Sequence, residues 1–321
     1  MSAGLAVDAA GPLAPALDLA SVVAQLRAAR ERWRGAQNRP REPGGRELPS
    51  REALEEIVQG LRGALFPMRL GPPDLRQESE DYFVGHTLDA VLNALLGQIR
   101  LELRHDARQG GRPEHDSYAR ALDKVREFAA TLPGIRGLLD SDVLASFRGD
   151  PAARSVDEVL LCYPGIEAMI HHRIAHRLYQ LGVPLLARIV AELAHGRTGI
   201  DIHPGAEIGP GFFIDHGTGV VIGETAVIGE RVRVYQAVTL GAKRFPTDEK
   251  GDLQKGLPRH PIVEDDVVVY AGATILGRIT IGRGSTIGGN VWLTRSVPPG
   301  SNVTQANAQN EVVAASGEDR A

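Results

Sequence analysis

A six-residue repeat governs the chain from residue 199 to residue 300. Its aliphatic anchors are Ile202, Ile208, Ile214, Ile222, Ile228, Val234 and Leu240 in a first run, and Val263, Val269, Ile275, Ile281, Ile287 and Leu293 in a second. Neither the 3.6-residue period of a helix nor the alternation of a strand produces this spacing. A hexapeptide repeat is typical of a parallel β-helix, in which each hexad supplies a short strand and a turn. The stacked anchors predict a continuous apolar column inside the coil.

The repeat slips once, within "GFFIDHGTGVVIGE" (211–224), where Ile214 and Ile222 are eight positions apart instead of six. The additional residues fall in a stretch that contains Asp215, His216 and two glycines. We therefore expect the acid and the imidazole to leave the regular outward-facing row and to face a cleft, which the glycines keep open.

Before this repeat, apolar residues recur at three-to-four spacing, which indicates amphipathic helices. We expect helices over Leu19–Gln37, Arg51–Leu65, His86–Leu103, Glu114–Leu132, Ile166–Leu181 and Pro184–Ala194. The sequence thus predicts an α+β protein in four parts. These are a flexible lead (1–17), an all-α N-terminal domain (18–197), a β-helix domain (198–300) with a protruding loop (241–261), and a C-terminal tail (301–321).

Composition excludes several classes of protein. The net charge of −4 gives no reason to expect nucleic acid as a partner. No apolar run reaches the length of a membrane span, and the N-terminus lacks the basic region of a signal peptide, so we expect a cytoplasmic protein. Cys162 is the single cysteine, so no thiolate metal site is expected. It lies between apolar residues in "VLLCYPG", which predicts a small buried core residue and not an acyl-carrying nucleophile.

Several irregular stretches resemble one family. They are "RGDPAA" (148–153), "YPGIEAMIHHRIAHRLY" (163–179), "DIHPGAEIGPGFFIDHGTGVVIGETAVIG" (201–229), "VTLGA" (238–242) and "RHPIVEDDVVVYAGATILG" (259–277). The repeat resembles the left-handed β-helix acyltransferases, and these stretches resemble the serine O-acetyltransferases of cysteine biosynthesis. The resemblance implies a left-handed coil and transfer of acetyl from acetyl-CoA to the hydroxyl of L-serine. It also implies a homotrimer or a dimer of trimers, with active sites between neighbouring β-helices.

The resemblance assigns the catalytic residues. His216 matches the family's general base, and Asp201 matches the acid that orients it. Histidine suits this role because its unperturbed pKa of about 6.5 lies near working pH, and a carboxylate can fix its tautomer. For the pantetheine arm of acetyl-CoA, Gly241 and Ala242 are the nearest candidates. No metal is implied.

L-serine carries an ammonium and a carboxylate, so its pocket needs both signs of charge. Asp150 and Asp215 match the family's ammonium-binding acids, and Arg259 and His260 match its carboxylate-binding pair. The family also implies L-cysteine as a feedback inhibitor and cysteine synthase as a partner. The tail "SNVTQANAQNEVVAASGEDRA" lacks the family's usual Ala-Gly-Val-Pro-Ala-Arg element and the terminal isoleucine that docks into that synthase.

Three alternatives stay open at this point. Another hexapeptide acetyltransferase, acting on a sugar or antibiotic hydroxyl, would explain His216 but not Arg259, Asp150 or the helical half. A zinc carbonic anhydrase on the same coil needs three converging histidines, and His203, His216 and His260 lack its closely spaced pair. A non-catalytic scaffold would tolerate the loss of His216.

Overall fold

The structure is a computed structural model that describes residues 18–37, 48–110, 116–244, 247 and 251–305. Contacts divide the chain into two units, Met1–Glu47 and Leu48–Ala321. In the first unit the helix α1 (Leu19–Ala36) begins after Asp18, whose carboxylate accepts a hydrogen bond from the Ser21 amide at 3.0 Å. The predicted lead (1–17) and most of the predicted tail (306–321) lie outside the described residues.

In the described residues of the second unit, seven helices precede the β-helix. They are α2 (Arg51–Leu65), α3 (Pro67–Leu70), α4 (Glu80–Gln109), α5 (Ser117–Gly149), α6 (Val156–Cys162), α7 (Pro164–Gln180) and α8 (Pro184–Thr198), with a short 3-10 turn at Gln77–Ser79. None of the helices in the described part of the chain combines the length and the hydropathy of a membrane span. The cytoplasmic location stays a prediction.

Two expectations about this half were wrong. Helix α5 does not end at Leu132 but continues through Pro133 to Gly149. Its buried face continues past the proline with Ile135 and Leu139, so packing outweighs the lost backbone hydrogen bond. Cys162 is exposed and not part of the core, because it lies in the last position of a short helix that buries Val159 and Leu160 instead.

Fourteen short strands follow α8 in the part of the chain that the structure describes. They are β1 (Asp201–Ile202), β2 (Glu207–Ile208), β3 (Phe213–Ile214), β4 (Val221–Ile222), β5 (Val227–Ile228), β6 (Arg233–Val234), β7 (Thr239–Gly241), β8 (Ile262–Val263), β9 (Val268–Val269), β10 (Thr274–Leu276), β11 (Thr280–Ile281), β12 (Thr286–Ile287), β13 (Trp292–Leu293) and β14 (Asn302–Val303). All their ladder pairings are parallel, and they form three sheets. Sheet A has the order β1-β4-β7-β10-β13, sheet B β11-β8-β5-β2, and sheet C β14-β12-β9-β6-β3. The predicted left-handed β-helix of hexapeptide repeats is confirmed.

The predicted anchors form the core of this coil. Each is the second residue of its strand, and all except Leu293 are buried, several with no exposed surface at all. Because equivalent anchors of successive coils are paired in register, as Ile222 is with Leu240, they stack into one apolar column. Helices α2–α8 and the coil belong to the same unit, so the division at residues 197 and 198 stays a prediction.

A buried ion pair joins the helices to the first coil. Arg173 of α7 donates two hydrogen bonds to the carboxylate of Asp142 in α5, at 3.1 and 3.2 Å. It also donates to the carbonyl oxygens of Ile208 and, at 2.7 Å, Gly209, while Asp142 accepts from the Phe212 amide at 2.9 Å. The pair thereby fixes the end of α5 against the coil that carries the site.

Candidate active site

The slip in the repeat is a two-residue insertion at the corner between β3 and β4. Strands β1 and β4 pair at a separation of 20 residues, whereas β4 and β7 pair at 18. His216 in the insertion has a φ of 60°, and Gly217 has a φ of 95°. A Cβ on Gly217 would lie 2.5 Å from Cδ1 of Ile200, so this close approach requires glycine. The His216 side chain leaves the coil and is 68% exposed.

Five side chains meet here: Asp150, Tyr163, Asp215, His216 and Arg233. We call them the His216 corner. Oδ1 of Asp215 lies 3.6 Å from Nδ1 of His216, and Oδ2 accepts a hydrogen bond from Arg233 at 2.9 Å. The Tyr163 hydroxyl donates to Asp150, which lowers the pKa of Asp150 and raises that of Tyr163 to about 12. The positive charges of Arg233 and of protonated His216 also act to lower the pKa of Asp150. Asp150 is therefore ionised at neutral pH.

Asp201 is the first residue of β1. Its carboxylate, the Glu192 carboxylate and the His195 ring have ligand atoms within 4.8 Å of one another. Glu192 is already engaged by Arg188, at 2.6 Å, so we assign no cation to this group. Among the described residues no hydrogen bond joins Asp201 to His216, and its orienting role stays a prediction.

A second cluster lies at the corner between β4 and β5. It comprises Tyr179, Glu224, Thr225, Arg259 and His260, and we call it the Arg259 corner. Glu224 accepts hydrogen bonds from Arg259 at 2.7 Å and from the Tyr179 hydroxyl at 3.0 Å. The Thr225 hydroxyl accepts from the backbone amide of Arg259 at 2.9 Å. Helix α7, through Tyr179, and the coil, through Glu224 and Thr225, thus both hold the Arg259 guanidinium in position.

His260 is prepared as a neutral hydrogen-bond donor. Its side chain is buried, and burial lowers its pKa to about 4, with the charge of Arg259 acting in the same direction. Nδ1 accepts a hydrogen bond from the Thr225 amide at 3.0 Å. A neutral imidazole that accepts at Nδ1 carries its proton on Nε2, which leaves one N–H for a ligand oxygen.

The two corners do not meet within one chain. The His216 corner precedes β4 and the Arg259 corner follows it, so sheet A lies between them. On the Arg259 side, Gly241 ends β7 and Ala242 follows it, and the Gly241 carbonyl accepts a hydrogen bond from the Gly277 amide at 2.9 Å. The structure thus brings Asp150, Asp215 and His216 together, and Arg259 with His260, as two separate groups.

Sequence reasoning missed five residues of these clusters: Tyr163, Tyr179, Glu224, Thr225 and Arg233. One signal was present, because Arg233 is a charged residue directly before an anchor, next to the insertion in the coil above. Tyr163, Glu224 and Thr225 contact residues 13 to 45 positions away in sequence. Their roles are apparent only once the fold brings these partners together.

Comparisons with known proteins show what the chain is similar to. Residues 260–295 match the family model described as bacterial transferase hexapeptide (six repeats). The chain is 62% identical over 267 residues to the plasmid serine acetyltransferase of Synechococcus elongatus, covering 82% of this chain and 84% of that protein. Its fold is similar to the crystal structure of serine acetyltransferase isoform 3 of Entamoeba histolytica in complex with cysteine, with a TM-score of 0.68 and 36% identity over 81% of this chain and 84% of that one. It is also similar to the serine acetyltransferase of Neisseria gonorrhoeae in complex with serine, with a TM-score of 0.51 and 29% identity over 80% and 96% of the two chains.

These comparisons confirm the family resemblance that the irregular stretches suggested. A relative this similar, matched over more than four-fifths of its length, leads to one conclusion: the chain belongs to the serine acetyltransferase family.

Proposed function

We propose that the protein transfers the acetyl group of acetyl-CoA to the hydroxyl of L-serine, giving O-acetyl-L-serine and CoA. The observation that carries the proposal is the insertion between β3 and β4, which projects His216 from the coil beside Asp215 and Asp150. The serine and cysteine complexes of the similar structures support an amino-acid substrate. A sugar or antibiotic hydroxyl would leave the Arg259 corner without a ligand.

The reaction requires a base because a neutral hydroxyl attacks a thioester poorly. His216 accepts the hydroxyl proton as the serine oxygen bonds to the thioester carbonyl carbon. The tetrahedral intermediate then breaks its C–S bond, and the leaving sulfur takes the proton from the imidazolium. Asp215, 3.6 Å from Nδ1, stabilises the positive charge that forms on the ring. The family's orienting acid, Asp201, would support the same ring.

The charges of the two corners fit the two ends of L-serine. Asp150 and Asp215 supply the negative charge for its ammonium. Arg259 can bind its carboxylate through two parallel hydrogen bonds, and Nε2–H of His260 can add a third. L-cysteine carries the same ammonium and carboxylate, so we propose that it competes with L-serine.

A complete site then needs two chains, since sheet A separates the corners within one chain. A homotrimer or a dimer of trimers, with the His216 corner of one β-helix facing the Arg259 corner of the next, satisfies this requirement. Acetyl-CoA would lie along the same cleft. The Gly241 carbonyl is already used by Gly277, so the backbone of Ala242 is the better of the two predicted contacts.

Release of CoA from acetyl-CoA, measured with a panel of hydroxyl acceptors, tests the proposal. We expect L-serine to exceed sugars and water by a wide margin. His216→Ala should lower kcat by about 10²–10⁴-fold, the usual contribution of a general base, with an unchanged circular dichroism spectrum. His86→Ala, an exposed histidine on α4, is the matched control and should leave kcat unchanged. A sugar used as well as L-serine, or a His216→Ala enzyme within about threefold of wild type, would refute the proposal.

A further inference from the structure

Arg233 occupies an unusual position for a cation. It is the first residue of β6, and its guanidinium carbon lies 4.7 Å from the ring centroid of Phe213 and 4.7 Å from that of Tyr235. Its side chain is only 24% exposed. Aromatic faces attract a cation more strongly when water is excluded, so the two rings help to hold the guanidinium in place.

Two hydrogen bonds connect the Arg233 guanidinium to the side chain of one acid of the proposed ammonium site and to the residue directly before the other. Nη2 donates to Oδ2 of Asp215 at 2.9 Å, and Nη1 donates to the carbonyl oxygen of Gly149 at 2.7 Å. Gly149 is the last residue of α5, and the next residue is Asp150. The carbonyl of a last helical residue has no partner within its helix, and it attracts a positive charge.

The backbone at Gly149 is held closely against the coil. A Cβ on this residue would lie 2.8 Å from Cδ1 of Phe213, so only glycine lets α5 end at this distance. Nε of Arg233 is buried, with no hydrogen-bond partner among the described residues. Burying an unpaired N–H is unfavourable, so the ion pair, the helix-end contact and the two rings together outweigh that cost. These contacts therefore hold the Arg233 side chain in one defined position.

We propose that Arg233 is a positioning residue for the substrate ammonium. Its bond to the Gly149 carbonyl positions Asp150 at the end of α5, and its bond to Asp215 positions the insertion. The two bonds together fix the distance between the two carboxylates. It also sets the charge of the pocket, because two carboxylates and one guanidinium leave a single net negative charge that one ammonium balances. This inference rests on the proposed function. It predicts that Arg233 lets the enzyme select a hydroxy acid that carries an amine over one that does not.

Substitution of Arg233 provides the test, with the full chain in its native assembly. Arg233→Met removes both hydrogen bonds, and Arg233→Lys keeps a charge but not the planar fork. Arg231→Met is the matched control, because that guanidinium is two residues away and pairs with Asp266 and Glu230 instead. The readouts are kcat, the KM values of L-serine and acetyl-CoA, and the inhibition constant of 3-hydroxypropionate, which is L-serine without its amine.

We expect Arg233→Met to raise the KM for L-serine about tenfold or more, the scale of a lost hydrogen bond to a charged group. The KM for acetyl-CoA and the inhibition constant of 3-hydroxypropionate should stay within about threefold of wild type, since neither depends on the ammonium site. Arg233→Lys should recover part of the loss, and Arg231→Met should match wild type.

Three results would overturn the inference. They are a serine KM within about twofold of wild type in Arg233→Met, equal increases for L-serine and 3-hydroxypropionate, or an Arg233→Lys enzyme as impaired as the methionine variant. If Arg233→Met does not assemble, the KM of Arg233→Lys for L-serine tests the inference by itself. A KM equal to that of the wild type then refutes the positioning role of Arg233. A wild-type enzyme without serine-dependent CoA release would refute the proposed function itself, which separates the two failures.

Discussion

Replacement of Arg173 by methionine tests how the helices are fixed to the β-helix. Methionine fills much of the volume of the arginine stem but removes its charge and its four hydrogen bonds. Asp142, which has no exposed surface, would keep its hydrogen bond from the Phe212 amide but lose its cation. The variant leaves a buried carboxylate without a cation, which is more costly than removing both partners.

The expected loss follows from this geometry. Breaking a buried ion pair by removing one partner costs about 3–5 kcal/mol in unfolding free energy. For a chain of this size that corresponds to a fall in Tm on the order of 10 °C. Burial raises the pKa of Asp142 and Arg173 opposes that effect, so the variant's folded state should have a higher Asp142 pKa than the wild type. A group whose pKa is higher in the folded than in the unfolded state stabilises the fold at low pH, and this stabilisation is lost as the pH rises through the folded pKa.

Thermal unfolding of both proteins at pH 5 and pH 8 measures this difference. We expect the deficit of Arg173→Met to be smaller at pH 5, where Asp142 takes up a proton. Arg69→Met is the control, because its partner Asp157 is half-exposed and surface pairs contribute only about 0–1 kcal/mol. The double variant Asp142→Asn, Arg173→Met should be less destabilised than Arg173→Met alone. A Tm within about 2 °C of wild type at both pH values would show that the pair does not hold the helices to the coil.

Two further predictions concern assembly and pH. Inactive His216→Ala and Arg259→Ala chains, mixed in equal amounts after dissociation, should recover about a quarter of wild-type activity. In about one site of four, an intact His216 from one chain then faces an intact Arg259 from its neighbour. No recovery in mixed oligomers would place the site within one chain. Glu102 of α4 accepts hydrogen bonds from the Leu185 and Leu186 amides at 2.8 Å, and burial raises its pKa to about 7. Its folded-state pKa lies above the unfolded value, so wild-type stability should fall between pH 5 and pH 8 by up to about 3 kcal/mol, and Glu102→Gln should flatten this dependence. Parallel profiles for the two proteins in chemical denaturation would contradict the assignment.

The β-helix could be predicted from the sequence because its repeat is local. Each anchor is separated from the next by one corner of the coil, and the same residue types recur at each corner. Ile208, Val234 and Ile275 were identified as core residues from their spacing alone, and all three are buried. The insertion at His216 was likewise predictable, since an error in so regular a pattern marks one corner.

Long-range contacts were not predictable in the same way. The end of α5 was expected at Leu132, yet the helix and its buried face continue through Pro133 to Gly149. Cys162 was expected in the core from its apolar neighbours, but its position in a short helix leaves it exposed. In both cases tertiary packing overrode a local preference.

What the sequence by itself determined is therefore the coil, its apolar column and the corner where an acid and an imidazole leave it. The tertiary structure alone decided which distant groups surround that corner. Arg233 reaches Gly149 across 84 positions, and Arg173 reaches Asp142 across 31. A hexapeptide repeat sets contacts between consecutive coils because its geometry is periodic, whereas nothing periodic relates the end of α5 to the edge of β6. Only the packing of helix against coil brings these groups within hydrogen-bond distance.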